Sequence, residues 1–283
     1  MPQTFAAAPG GQVAWYPPPA RLPATPLVAV AGGPGADHRY LRVGGGFDRI
    51  GALRRLVFYD QRGSGRSGPA AAGETVDRFA DDLEAVRAAT GADEIDLIGH
   101  SFGAFLAMAY AAKYPARLRS LILVSAMGPA PGETVQLLDA IFPDRIEEWR
   151  RTRAALPPRF PASVISLFHT FEFVDGAAHA RYAREVQDHV YNIELNNVLR
   201  ADMERLDFRD TLRRWTKPAL VVHGRFDAVL APSIGWKLHR LMPASRMAFL
   251  ERSGHMPFIE EPEAFAAAVL GFLGEVDAGR VAR

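Results

Sequence analysis

Residues 99–103 read Gly-His-Ser-Phe-Gly, a G-x-S-x-G pattern between an apolar run and an alanine-rich helical run. A strand that turns sharply into a helix at such a pattern exposes the central serine hydroxyl at the edge of a sheet. Small residues on both sides of the turn let the strand and the helix pack closely. The pattern therefore predicts that Ser101 is a nucleophile.

A serine nucleophile needs a general base and an acid that orients the base, because a serine hydroxyl is weakly nucleophilic at neutral pH. In hydrolases with a strand–turn–helix nucleophile, the acid and then the histidine follow the serine along the chain. Asp227 follows the apolar run 220–222, and His255 follows the apolar run 247–250. Both are thus expected at carboxyl ends of strands, where doubly wound sheets gather their active sites. We predict catalytic roles for both, although aspartate is also a common helix cap.

The oxyanion of an acyl-transfer intermediate needs backbone N–H donors, and each donor lowers the barrier by roughly 3 kcal/mol. The residue after the nucleophile supplies one donor, which here is the amide of Phe102. We expect the second donor from the glycine-rich loop 31–35, because glycines let a backbone approach a substrate carbonyl. Within that loop the prediction is the amide of Gly33.

Short apolar runs alternate with helical patterns along the chain, and each run ends in a turn. Continuous apolar runs are typical of strands buried on both faces of a parallel sheet. Helical periodicity is clearest at residues 75–90 and 262–276. The alternation predicts a mostly parallel, doubly wound α/β sheet. The apolar runs are residues 27–30, 56–59, 95–98, 121–124, 220–222 and 247–250.

One segment, residues 129–214, contains no convincing buried strand. It carries amphipathic helical patches, aromatic residues and proline punctuation. We interpret it as a helical cap inserted into a body formed by residues 1–128 and 215–283. Aromatic side chains of the cap either line a small apolar pocket or attach the cap to the body. These residues are Phe168, Phe171, Phe173 and Tyr191.

Length and composition fit one large domain with an insertion. The 283 residues are 48% hydrophobic and carry a net charge of +1, which favours no electrostatic partner such as nucleic acid. Cysteine is absent, and the histidines lack the spacing of a metal site, so we expect neither a metal nor a cofactor. Without a leader-like N-terminus or an apolar run near ~20 residues, a cytoplasmic protein with no membrane partner is expected. The oligomeric state stays open.

Together these motifs resemble the α/β-hydrolase superfamily over nearly the whole chain, and within it the prolyl iminopeptidases and related serine aminopeptidases. The likeness rests on Gly-Gly-Pro-Gly at 32–35, Asp-Gln-Arg-Gly-Ser-Gly-Arg-Ser at 60–67 and His-Gly-Arg-Phe-Asp at 223–227. Two segments depart from the iminopeptidase pattern. The first loop begins with Ala31 instead of His, and the nucleophile turn reads Gly-His-Ser-Phe-Gly instead of Gly-Gly-Ser-Trp-Gly.

The resemblance implies an α/β-hydrolase fold with an inserted helical cap. It also implies an aminopeptidase that releases an N-terminal Pro, or another small apolar residue, from short peptides, amides or arylamides. In the family, cap carboxylates bind the substrate ammonium. Glu194 is the first candidate for this role here, followed by Glu172 and Glu204. A carboxylesterase or lactonase with the same three catalytic residues is an alternative, and a non-catalytic ligand-binding protein on this fold is a further one.

Overall fold

An eight-stranded sheet forms the centre of the computed structural model, which describes residues 3–9, 11–18, 25–161, 164 and 170–280. Its strands are β1 (Thr4–Ala8), β2 (Gly11–Tyr16), β3 (Leu27–Val30), β4 (Leu56–Tyr59), β5 (Ile95–His100), β6 (Leu118–Val124), β9 (Ala219–Gly224) and β10 (Ser245–Leu250). Their order is β1-β2-β4-β3-β5-β6-β9-β10. β2 pairs antiparallel with β1 and with β4, and every other neighbouring pair is parallel. The predicted mostly parallel sheet is confirmed.

Two apolar core layers cover opposite faces of the sheet. Successive side chains of a strand point to opposite faces, so Leu97 of β5 belongs to one layer and Ile98 to the other. The first layer includes apolar side chains of α2 (Val76–Thr90), and the second includes those of α11 (Pro262–Asp277). Both helices were predicted from periodicity and are confirmed. The body also contains α1 (Gly46–Gly51), α3 (Phe102–Lys113), α9 (Pro232–Leu241) and α10 (Pro257–Glu260).

The segment between β6 and β9 adds no strand to the central sheet among its described residues. It contains α4 (Leu138–Ile141), α5 (Pro143–Ala154), α6 (Gly176–Glu185), α7 (Ile193–Met203) and α8 (Arg209–Arg213). It also contains two short antiparallel strands, β7 (Arg159–Pro161) and β8 (Val190–Asn192), which the sequence analysis did not anticipate. These strands are three residues long and mostly exposed or half-buried, so they lack the apolar run from which a strand is predicted.

Membrane-spanning length is not reached by any helix in the described ranges. The longest of these helices, α11, has 16 residues, whereas a bilayer needs about 20.

Body loops are held in place by buried polar contacts. Asp60, directly after β4, accepts hydrogen bonds from the Tyr16 hydroxyl at 2.8 Å and the Arg66 amide at 3.0 Å. Nearby, Arg62 forms an ion pair with Asp82 of α2.

Candidate active site

Ser101 lies at the sharp turn between β5 and α3. Its backbone adopts φ 56° and ψ −120°, a conformation that costs a non-glycine residue roughly 1–3 kcal/mol. Its amide donates to the Val124 carbonyl at 2.9 Å. A Cβ at Gly99 would collide with the Gly103 carbonyl, and a Cβ at Gly103 would collide with the Val30 carbonyl. The strand–turn–helix geometry predicted from the pentapeptide is therefore present, and its two glycines are required by close contact.

Asp227 and His255 form a buried, hydrogen-bonded pair. Asp227 follows β9, His255 follows β10, and their exposed fractions are 1% and 3%. The distance between His255 Nδ1 and Asp227 Oδ2 is 2.8 Å. Because the carboxylate accepts at Nδ1, this nitrogen carries the hydrogen, and Nε2 keeps its lone pair. His255 is thus in the tautomer that accepts a proton at Nε2.

The pKa values of this pair are set by burial and by mutual attraction. Burial alone would raise the pKa of Asp227, but His255 and His223 beside it hold that pKa well below its ordinary value. Burial lowers the pKa of His255, but the Asp227 carboxylate outweighs burial and raises it above 6.5. The imidazole is therefore more basic than a free one. The carboxylate stays ionised and stabilises the imidazolium.

Asp227 also fixes the turn that precedes α9. Its Oδ1 accepts the amides of Val229 at 2.9 Å and Leu230 at 2.8 Å. Its Oδ2 lies 3.3 Å from His223 Nε2, which is 2.8 Å from the Leu230 carbonyl. Both neighbours of this nitrogen are acceptors, so His223 Nε2 carries a proton. Asp227 therefore caps this turn and also holds His255, whereas the considered role as the cap of the helix is wrong, because α9 begins at Pro232 and its N-cap is Ala231.

A hydrogen-bond chain connects the glycine loop, the nucleophile turn and the loop of His255. The Gly32 amide donates to the Tyr40 hydroxyl at 2.6 Å, and that hydroxyl donates to His100 Nδ1 at 2.7 Å. His100 Nε2 donates to the His255 carbonyl at 2.9 Å. Burial lowers the pKa of His100 to about 3, so its ring is neutral, as these donor and acceptor roles require. No local sequence pattern indicates these contacts of Tyr40 and His100.

The glycine loop lies directly against the nucleophile turn. A Cβ at Gly32 would come 3.0 Å from the Ser101 Cβ. The Gly32 amide is engaged by Tyr40. By contrast, the amides of Gly33 and Phe102 donate to no protein acceptor within the described ranges. Gly33 lines a cavity together with Ser101, whereas Phe102 is fully buried and is not among the described residues that line it.

A cavity of about 400 Å³ is lined by both Ser101 and His255. Body loops form part of its wall, and the cap forms the rest with residues of α4, α5, α6 and α7, of β7 and β8, and of the loops between them. A cavity of this volume is large enough for a small ligand. The aromatic residues that line it from the cap are Trp149, Phe160, Tyr182 and Tyr191.

The four cap aromatics singled out from the sequence do not share one role. Tyr191 lines the cavity. Phe171 is buried with its ring centroid 5.0 Å from that of Phe142, and Phe173 packs against the apolar core. Phe168 lies outside the described residues. Tyr191 therefore fits the alternative of lining a pocket, whereas the packing of Phe171 and Phe173 fits the alternative of attaching the cap to the body.

The three cap carboxylates considered for ammonium binding occupy different environments. Glu172 is 7% exposed and lines the cavity, and its backbone carbonyl accepts the His255 amide at 2.7 Å. Glu194 and Glu204 are exposed, and neither is among the described residues that line the cavity. Glu204 instead lies 3.8 Å from Arg200. The structure therefore brings Glu172, not the first candidate Glu194, to the neighbourhood of His255.

One group of side chains in the described part of the chain has the geometry to surround a metal ion: Asp37, His38 and Asp60. Protein partners already contact these side chains. His38 Nδ1 lies 2.7 Å from Asp60 Oδ1, and Asp37 pairs with Arg39 at 2.6 Å. These contacts join the loop after β3 to the loop after β4.

Comparison with known proteins assigns the chain to a family. Residues 25–262 match the α/β hydrolase fold family, and the chain belongs to that family. It is 27% identical over 278 residues to the proline iminopeptidase of Saccharolobus solfataricus, with 88% of this chain and 85% of the relative covered. It is 28% identical over 269 residues to the proline iminopeptidase of Heyndrickxia coagulans, with 89% and 91% covered.

The fold is also shared with solved structures. A thermophilic esterase from Thermogutta terrifontis is similar with a TM-score of 0.77 and 23% identity, over 98% of this chain and 99% of the esterase. The predicted α/β-hydrolase fold and the resemblance to proline iminopeptidases are thus confirmed, and the protein is a hydrolase. The likeness to the esterase concerns the fold alone.

Proposed function

We propose that this hydrolase is a serine aminopeptidase that releases a Pro or another small apolar residue from the free N-terminus of short peptides, amides or arylamides. One observation carries the proposal: the buried carboxylate of Glu172 lines the same cavity as Ser101 and His255. A carboxylate shielded from water interacts strongly with a cation. In an aminopeptidase substrate, that cation is an ammonium one carbon away from the carbonyl to be attacked.

The first half of the reaction transfers the acyl group to Ser101. Its Oγ attacks the carbonyl carbon, and His255 Nε2 accepts the hydroxyl proton. Asp227 holds the imidazole through Nδ1 and stabilises its positive charge. The amides of Gly33 and Phe102 donate to the oxyanion, each contributing roughly 3 kcal/mol to the barrier reduction.

Collapse of the tetrahedral intermediate breaks the carbon–nitrogen bond, and the His255 imidazolium gives its proton to the leaving amine. An ester between the released residue and Ser101 remains. In the second half, His255 takes a proton from a water molecule that attacks this ester. A second collapse returns the proton to Ser101 and frees the amino acid.

The ammonium role is tested with a prolyl arylamide and its N-acetylated form. We expect wild-type kcat/KM to fall at least about 30-fold on acetylation, because loss of a buried charge partner costs about 2–5 kcal/mol. Glu172→Gln lowers kcat/KM for the free-amine substrate by a similar factor, whereas Glu194→Gln, on the exposed face of α7, changes it less than about two-fold. Equal rates with and without the acetyl group would refute the ammonium site.

A carboxylesterase or lactonase is the second candidate, and the Gly-His-Ser turn favours it because His100 departs from the iminopeptidase pattern. The two functions differ in their dependence on Glu172. An esterase hydrolyses short acyl esters without an amine, and Glu172→Gln leaves that rate within about three-fold. An aminopeptidase has a higher kcat/KM for a prolyl arylamide than for its N-acyl counterpart, and the preference disappears in Glu172→Gln.

A further inference from the structure

The cavity wall also carries positive charge, which comes from three arginines of the cap: Arg150, Arg153 and Arg200. Two of them have acidic neighbours. Arg150 pairs with Asp139 at 2.7 Å, and Arg200 lies 3.8 Å from Glu204. Among the described residues, Arg153 pairs with no carboxylate, although its side chain is half-buried. Its charge is therefore unbalanced among the residues that the structure describes and favours an anionic ligand in the cavity.

The charges of Arg153 and Glu172 both influence Tyr191, a third residue of the cavity wall. Burial raises the pKa of Tyr191 to about 12, and this shift is opposed by the charge of Arg153 and increased by that of Glu172. Arg153, Glu172 and Tyr191 all line this one cavity. A single cavity therefore presents a negative and a positive group to its contents.

We propose that Arg153 binds the C-terminal carboxylate of a dipeptide or tripeptide, so that free short peptides are the preferred substrates. This inference rests on the proposed aminopeptidase function. A guanidinium presents two parallel N–H donors to a carboxylate, which adds orientation to charge attraction. A dipeptide or a tripeptide carries an ammonium and a carboxylate at its two ends, and three extended residues span at most about 10–11 Å.

The proposal predicts a preference for a free C-terminus that depends on Arg153. The substrates are Pro-Ala, Pro-Ala amide and a prolyl arylamide, of which only the first carries a carboxylate. We expect wild-type kcat/KM to be about ten-fold or more higher for Pro-Ala than for its amide, mainly through a lower KM. Arg153→Gln should bring this ratio close to one. Arg153→Lys keeps the charge but lacks the two parallel N–H donors of the guanidinium, so it should keep part of the preference for Pro-Ala.

Arg151→Gln is the matched control, because Arg151 is an exposed arginine on the same helix, α5, and does not line the cavity. It should keep the wild-type ratio. The two kcat/KM values are compared within each variant. A smaller fraction of folded protein lowers both values equally and does not change their ratio. Turnover of the arylamide with no preference for Pro-Ala over its amide, or an unchanged ratio in Arg153→Gln, overturns this inference alone. Failure of the wild type to cleave any of the three substrates overturns the proposed function as well.

Discussion

The body and the cap each contribute a 12-residue helix beside the cavity, and the two helices differ in burial. Helix α3, which begins directly after Ser101, buries ten of its residues, Phe102–Ala111. Helix α5, which carries Arg153, buries only Ile146. A helix with few buried contacts shifts at a lower free-energy cost than one packed on all sides. The body is therefore suited to hold reacting groups still, and the cap is suited to adapt to different substrates.

Polar contacts show the same difference. In the body, Asp227 has four polar neighbours, and His255 is held both through its ring and through its carbonyl. In the cap, exposed pairs such as Arg150 with Asp139 contribute little to stability, because water screens them. We infer that changes in the body alter all substrates alike, whereas changes in the cap alter the choice among substrates.

The largest expected effect is that of Ser101→Ala. Loss of the nucleophile should lower kcat/KM by about 10⁴-fold or more for arylamide and ester substrates alike. Circular dichroism and thermal unfolding serve as controls that the fold is retained. If more than about 1% of either activity remained in the purified variant, Ser101 would not be the nucleophile.

Asp227→Asn should lower kcat by about 10³–10⁴-fold and also change the pH profile. The carboxylate raises the pKa of His255 above 6.5, and only the neutral imidazole accepts a proton. Wild-type activity is therefore lost as the pH falls through a value above 6.5. Removing the carboxylate leaves burial, which lowers the pKa, so the acidic limb of kcat/KM should move to lower pH. If the acidic limb of kcat/KM did not move, a group other than His255 would control the loss of activity at low pH.

Tyr40→Phe should have a smaller effect, because it breaks the hydrogen-bond chain without removing a reacting group. The Tyr40 hydroxyl makes two buried hydrogen bonds, each worth about 1 kcal/mol, so we expect kcat to fall about five- to thirty-fold, equally for amides and esters. Tyr114→Phe is the control, since its hydroxyl binds Asp81 on another part of the body. A change in the amide-to-ester ratio would contradict the division between body and cap.

The body is the better predicted of the two regions for a physical reason. Strands buried on both faces need continuous apolar runs, such as residues 27–30 and 220–222, and these runs are visible in any window of sequence. The edge strand β1 reads Thr-Phe-Ala-Ala-Ala and is mostly exposed or half-buried, and its alanines do not favour a strand. The cap strands β7 and β8 escape prediction because they are three residues long.

Within the candidate site, too, residues of the body are easier to predict from the sequence than residues of the cap. Ser101, Asp227 and His255 follow predictable strands, so the topology of a parallel sheet brings them together at one edge. The position of Glu172 depends instead on a long-range contact, from its carbonyl to the His255 amide, which no local pattern encodes. Glu194 fits the family's segment by sequence, but α7 leaves this residue exposed.

Covalent labelling of Ser101 is the most direct test of the account. The wild-type protein is treated with a serine-directed phosphonate that carries a prolyl group with a free amine, and peptide mass mapping locates the adduct. We predict one phosphonyl group on Ser101, none in Ser101→Ala, and much slower labelling when the amine of the probe is acetylated. Labelling of a different residue, or full activity in a protein already labelled at Ser101, would contradict it.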